Sequence, residues 1–369
     1  MSRTPDRRMF YTIDGLRGIA ALLVVCRHIV PLHGGHLNFQ SSYLAVELFF
    51  LFSGFVIAHA YDKRFAAGMG FWEFVRARLI RLYPLYFLGF AIAVLTVPAA
   101  RLAGIRTWPL MPQVLIPNLL LLPTYITFAG GVLFPFNNPS WTLFFELLAN
   151  YVYCLAFKGL NDRRLAIVVL ISAAALAWAA FTFHSLDIGY NQKHFIGGFA
   201  RVFFSFFAGV AVYRIQLARP CPIKISPYIL MAAAVAILVQ QVPRGLDREW
   251  YDCLCAIVVF PVFAYLATAV EPANPMVQKA FTLGGGASYA LYLIHAPLGG
   301  VLNQFFTIYG RPKGSILLGV TFIAAVSVIS VLVEKYYDGP VRRWLTRTFN
   351  ARPRATALPP VDAEHVPGQ

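Results

Sequence analysis

The chain has 369 residues, 59% of them from the apolar and aromatic set AVILMFWYC and only 13% charged, with a mean hydropathy of +0.64. That balance excludes a soluble fold with an ordinary polar surface and makes lipid the solvent for most side chains. The net charge of +15 does not describe a nucleic-acid-binding face, because Arg and Lys gather at the ends of apolar runs, as at Arg7-Arg8, Lys63-Arg64, Arg76 to Arg81, Arg163-Arg164 and Arg342-Arg343.

The runs predict an all-α polytopic membrane protein with about ten transmembrane helices, near residues 13–31, 43–61, 82–100, 139–157, 165–183, 197–214, 226–242, 250–269, 285–306 and 313–334. The first is a retained helix, since it contains Arg17 and Arg27 and lacks a small-residue cleavage pattern. With the N-terminus inside, the inner segments carry most of the Lys and Arg, which places both termini in the cytoplasm. The stretch 101–138 breaks the pattern. Its apolar piece, Val114 to Leu122, is bracketed by Pro112, Pro117 and Pro123 and reads as a re-entrant or interfacial segment, although a spanning reading would reverse everything downstream. The expected organisation is a cytoplasmic N-terminus at 1–12, one membrane domain at 13–340 and a basic tail at 341–369, disordered from Ala351 onward. Five scattered cysteines give no metal-ligand spacing with the histidines, so neither a metal site nor a disulfide framework is expected.

Ionisable residues at bilayer depth are costly, which makes them the leads to function. Arg17 and His28 share the first helix. Eleven residues separate them, about 16 Å along the axis and nearly on one face. A snorkelling arginine and an interfacial histidine are the plainer readings of the same pair. Glu47 enters the second helix at the depth of His28, where it either orients the imidazole or neutralises an arginine such as Arg27. Ser53 has no evident base. Arg76, Arg78 and Arg81 lie at the cytoplasmic end of the third helix, as positive-inside anchors or as a clamp for phosphate. Glu146 needs a polar cavity or a partner, and Asn150 follows one turn later. Tyr289, Tyr292 and His295 fall on one side of the ninth helix with Ser288 beside them, and Pro297 next to them can free backbone groups. His33, His36, His184 and His194 fall in outer loops, and Glu334 and Asp338 are expected to pair with Lys335 or Arg342.

The ordered set of motifs, Asp14 to Gly18 with His28 following, Val46 to Phe50 leading to Ser53-Gly54-Phe55, Arg78 to Tyr86, Trp141 to Glu146, and Ser288-Tyr289 to His295, resembles acyltransferase family 3 over nearly the whole chain to about residue 340. The resemblance implies a bacterial inner-membrane O-acyltransferase that moves an acyl group, usually acetyl from acetyl-CoA, to a hydroxyl of a cell-surface polysaccharide or its lipid-linked sugar precursor. Macrolides and other small metabolites are the alternative acceptors, polysaccharide biosynthesis proteins are implied partners, and no metal is implied. His28 matches the catalytic histidine, Arg17 the first-helix arginine, Glu47 an acidic position commonly filled by Asp, and Arg78 and Arg81 the cytoplasmic arginines, with Arg76 less secure. Glu146, Tyr292 and His295 join as site candidates, with Tyr289, Tyr292 or His295 as oxyanion donors. A transporter of a lipid-linked sugar would also fit ten helices with polar groups at depth.

Overall fold

The computed structural model describes residues 9–37, 39–102, 104, 110–125, 131–243, 245–310 and 314–350. Its helices are, in chain order, α1 (Tyr11–His28), α2 (Val30–His33), α3 (Ala45–Ala66), α4 (Phe71–Leu102), α5 (Pro112–Leu119), α6 (Trp141–Ala156), α7 (Asp162–Phe183), α8 (Phe195–Ala218), α9 (Pro227–Val239), α10 (Arg248–Cys253), α11 (Phe260–Ala267), α12 (Pro275–Tyr309), α13 (Ile316–Val333) and α14 (Gly339–Asn350). Two π-helical stretches, Leu254–Val259 and Glu334–Asp338, make α10 continuous with α11 and α13 with α14. One isolated antiparallel bridge, Val132 to Asn191, is the only strand-like pairing among the described residues.

The protein is an all-α polytopic membrane protein. Among the described residues, seven helices are long and apolar enough to cross a membrane: Ser42–Ala66, Phe71–Leu102, Asn138–Gly159, Asp162–Phe183, Gln192–Ala218, Arg248–Ala267 and Ile316–Phe349. The other three expected spans fall short for physical reasons. α9 has only 13 residues, α1 carries Asp14, Arg17 and Arg27 within 18 residues, and α12 is diluted by glycines and by Ser288, Tyr289, Tyr292 and His295. The proline-rich stretch contributes only the eight residues of α5, about 12 Å of helix, too short to cross hydrocarbon. It folds back on its neighbours: Tyr86 donates to Asn118 O, Tyr83 to Leu119 O (2.7 Å), and Asn118 Nδ2 to Thr124 Oγ1 (2.7 Å). Residues 103, 105–109 and 126–130 of that stretch, and the tail from 351 to 369, lie outside the described residues. The segment 341–350 is helical, as the greater part of α14.

Small residues set the tightest crossings. A Cβ at Gly54 would collide with Phe206 O, and one at Gly209 with Leu51 O, so α3 and α8 touch backbone to backbone. A Cβ at Gly18 would come within 3.2 Å of the Gly284 carbonyl carbon, which lets α1 lie along α12. Pro297 cannot donate to Leu293 O inside α12. That freed carbonyl accepts from Asn137 Nδ2 at 2.9 Å, tying the segment before α6 to α12 beside His295. His33, expected in a surface loop, is fully buried: its Nε2 donates to Cys26 O (2.9 Å) and its Nδ1 accepts from Leu37 N (3.1 Å).

Candidate active site

Three cavities follow one another along α3. A mouth of about 640 Å³ is walled by α3, α4 and α14 and contains the side chains of Arg64, Arg78, Arg81, Arg342, Arg343 and Arg347. It shares Val56, Ile57, Arg78 and Arg81 with an inner cavity of about 150 Å³, which adds Arg17, Ser53, Glu146 and Tyr289. The inner cavity in turn shares Val46 and Tyr292 with an outer cavity of about 170 Å³ that holds His28, Arg27, Asn138, Asp187 and Tyr190. Arg17 and His28 therefore occupy successive chambers, as their common helix face predicts.

In the inner cavity Glu146 is the hub. It accepts from Ser53 Oγ at 2.7 Å and from Arg78 Nη2 at 3.1 Å, which fastens α6 to α3 and α4. Arg78 is buried, and its Nε has no hydrogen-bond partner. Arg81 lies over the Tyr289 ring at 5.4 Å and pairs with buried Asp338 at 3.5 Å. Arg17 pairs loosely with Asp14 at 3.4 Å. Arg76 is exposed and lines none of the three cavities, because two residues rotate it about 200° from Arg78. Asn150, one turn after Glu146, is fully buried with neither amide atom bonded.

The outer cavity holds a pair of histidines. His28 is exposed to the cavity and His295 is fully buried behind it, with ring centroids 5.0 Å apart. Carbonyl oxygens only accept, so His295 Nδ1–H donates to Leu291 O (2.9 Å) and His28 Nδ1–H to Val24 O (3.0 Å). A neutral His295 then offers Nε2 as an acceptor, 3.1 Å from the same His28 Nδ1–H. The tautomer follows from this chain of partners: the lone pair of His28 lies on Nε2. It also removes His295 from the oxyanion donors, since its one proton is committed to Leu291 O. Tyr292 remains the candidate for that role: Thr142 Oγ1 donates its one proton to Pro139 O at 3.0 Å and lies 3.1 Å from the Tyr292 hydroxyl.

The expected contact between Glu47 and His28 is not made. Glu47 is fully buried and takes Arg201 Nε at 2.5 Å and Nη2 at 2.8 Å, a two-pronged pair between α3 and α8. Arg201 also donates to Ile188 O (2.8 Å) and Tyr43 O (3.0 Å) and lies 5.2 Å from the Trp141 ring. A second buried anion, Asp252, accepts from the Tyr43 hydroxyl (2.7 Å) and from Leu186 N (2.8 Å). These two anchors hold the 185–188 segment over the cavity, where Asp187 pairs with Arg27 at 2.5 Å. Neither Arg201 nor Asp252 was singled out by sequence reasoning. The available signal was Arg201 itself, a cation inside an apolar helix that needs a buried anion. Burial pushes the Tyr190 hydroxyl above its ordinary value, with Asp187 adding to it, so Tyr190 presents a proton to the cavity. Asn138 Oδ1 is buried there with no partner.

Among curated relatives, the chain is 38% identical over 198 residues to protein 2 in the picA locus of Rhizobium radiobacter, covering 50% of this chain and 100% of that protein. It is 27% identical over 351 residues to BcsY of Komagataeibacter xylinus, which carries the provisional name of a membrane-bound transacylase, covering 88% of this chain and 81% of that one. The acyltransferase MdmB of Streptomyces mycarofaciens is 27% identical over 406 residues, covering 96% of each. No solved structure matches. A family model described as an acyltransferase domain matches residues 10–335, which takes in both histidines, the Glu146 hub and every cavity wall except that formed by α14, and the chain belongs to acyltransferase family 3.

Proposed function

We propose that the protein transfers an acyl group, acetyl in the simplest case, from acyl-CoA to a hydroxyl of a cell-surface polysaccharide or its lipid-linked sugar precursor. The observation that carries this reading is the row of cavities joining a mouth of arginines to an exposed, lone-pair-bearing imidazole. The arginine end faces the cytoplasm of a bacterial inner membrane, where acyl-CoA is made. The histidine end faces outward to the acceptor and to polysaccharide biosynthesis proteins. α1, α9 and α12 complete ten crossings, with both termini inside.

The mouth is wide enough for a nucleotide, and the inner cavity suits a narrow arm. Arg78 and Arg81 attract the donor's phosphates, and Arg17 sits farther along the arm. His28 Nε2 takes the proton of the acceptor hydroxyl as that oxygen attacks the thioester carbonyl. His295 accepts from His28 Nδ1–H and stabilises the imidazolium that forms. Tyr292 donates to the oxyanion at the junction of the two cavities. Collapse of the tetrahedral intermediate breaks the C–S bond, and the His28 proton passes to the departing thiolate, so charge and protons balance. Asn138 Oδ1 and the Tyr190 hydroxyl offer one acceptor and one donor to neighbouring hydroxyls of a polyol. Glu47 serves by holding Arg201 and, through it, the outer wall.

The test uses membranes containing the wild-type protein or its His28→Ala variant, radiolabelled acetyl-CoA and total cell-surface glycans. The expected result is alkali-labile label in the glycan, with stoichiometric free CoA, only with the wild type. Equal label with both proteins, or vectorial movement of glycan without CoA release, would sink the reading.

A further inference from the structure

The mouth is not closed by the family's matched region alone, because Arg342, Arg343 and Arg347 come from α14, beyond residue 335. Four of the six mouth arginines have anionic partners. Arg64 pairs with Glu73 (3.4 Å), Arg78 with Glu146 (3.1 Å), Arg81 with Asp338 (3.5 Å), and Arg342 with Asp338 (2.9 Å) and Glu334 (3.5 Å). Arg343 and Arg347 make no ion pair among the described residues, yet both line the cavity.

Asp338 explains how α14 is held there. It is fully buried between Arg81 of α4 and Arg342 of α14, so one carboxylate fixes α14 against α4 as the third wall of the mouth. The Tyr337 hydroxyl adds a bond to Pro84 O at 3.2 Å. On the helix wheel Arg342, Arg343, Thr346 and Arg347 fall within about 140°, while Trp344 and Phe349, 63% and 55% exposed, occupy the remaining arc. α14 is thus an amphipathic helix with its basic face turned into the mouth and its aromatic residues turned away, toward the lipid interface.

We propose that α14 is the second wall of the donor's phosphate site, and that Arg343 and Arg347 bind the nucleotide phosphates of acyl-CoA opposite Arg78 and Arg81. The proposal rests on the donor reading above and adds the residues that select for a nucleotide-bearing donor. A lipid headgroup satisfies the geometry less well. It brings a single phosphate, and its acyl chains would have to cross a polar cavity lined by guanidinium groups, whereas converging arginines match several phosphates on one ligand.

The experiment uses the full chain in phosphatidylcholine nanodiscs and compares acetyl-CoA with S-acetyl-pantetheine, which has the same thioester and none of the nucleotide phosphates. For the Arg343→Gln/Arg347→Gln variant, the ratio of kcat/KM for acetyl-CoA over S-acetyl-pantetheine falls about tenfold or more, chiefly through KM. The Arg343→Lys/Arg347→Lys variant recovers part of that loss. An equal fall for both donors, or no fall, overturns the proposal. So does a difference between variant and wild type that emerges only when phosphatidylglycerol is added, since the arginines would then be reading lipid. Binding of adenosine 3′,5′-bisphosphate by equilibrium dialysis separates this proposal from the donor reading. Should the wild type transfer from neither donor, binding that the double glutamine variant loses still supports the phosphate site, and absence of binding to the wild type overturns it.

Discussion

The two ends of the cavity row treat charge in opposite ways. At the histidine end the neighbouring ions are matched one to one: Arg27 on Asp187, Arg201 on Glu47, Arg248 on Asp252. At the arginine end cations outnumber carboxylates, and Arg343 and Arg347 stand without a counter-ion among the described residues. Matched charge holds a shape, and unmatched charge holds a ligand. On the proposed function the contrast explains why an acidic residue at the depth of His28, Glu47, is a structural anchor while the unmatched arginines of the mouth are left for a ligand.

Substitutions can break this contrast at either end. The largest effect falls on His28→Ala, which should lower acyl transfer by about a thousandfold while leaving a monodisperse protein, because the side chain faces a cavity. Label transfer and size-exclusion profiles measured on the same preparation check both halves. Next is Glu47→Gln, which strands the Arg201 cation in the bundle and should cost about 3–5 kcal/mol of stability. A Glu47→Leu/Arg201→Leu double variant should regain much of that in thermal unfolding, and failure to regain any would assign Glu47 to chemistry. His295→Ala should lower kcat by about ten- to a hundredfold with little change in KM for acyl-CoA, since it removes one of the two acceptors of His28 Nδ1–H, the one that would stabilise the imidazolium. A rise in KM alone would instead make His295 a binding residue. Arg78→Gln should raise KM for acetyl-CoA by about tenfold, whereas Arg76→Gln should move it less than about twofold, and side-by-side saturation curves would expose any equality between them.

Local information carried much of this architecture. The spacing of Arg17 and His28 on one helix, the run from Arg78 to Arg81, and the face shared by Tyr289, Tyr292 and His295 are periodicities of single helices, and they put these side chains along one path. Glu47 shows where that reasoning stops. Its depth was legible, but its partner lies 154 residues away on a helix whose rotation no local pattern fixes. The same limit hid Asp252 and the pairing of His28 with His295, both products of helices packed far apart in sequence. The difference between the ten expected spans and the seven long apolar helices has a related cause. α1 and α12 carry the polar groups of the site, and those groups depress the apolarity by which a crossing helix is recognised.

The junction of the inner and outer cavities has a further consequence, for insulation. Among the described residues only Val46 and Tyr292 line both chambers, so the row of cavities narrows at one valine and one tyrosine. α3 cannot easily tilt to widen that point, since Gly54 and Gly209 lock it to α8 at the backbone. Chemistry across the partition then depends on side-chain rotation and not on a rocking helix. If donor and acceptor meet there as proposed, those two side chains also decide whether water can follow them.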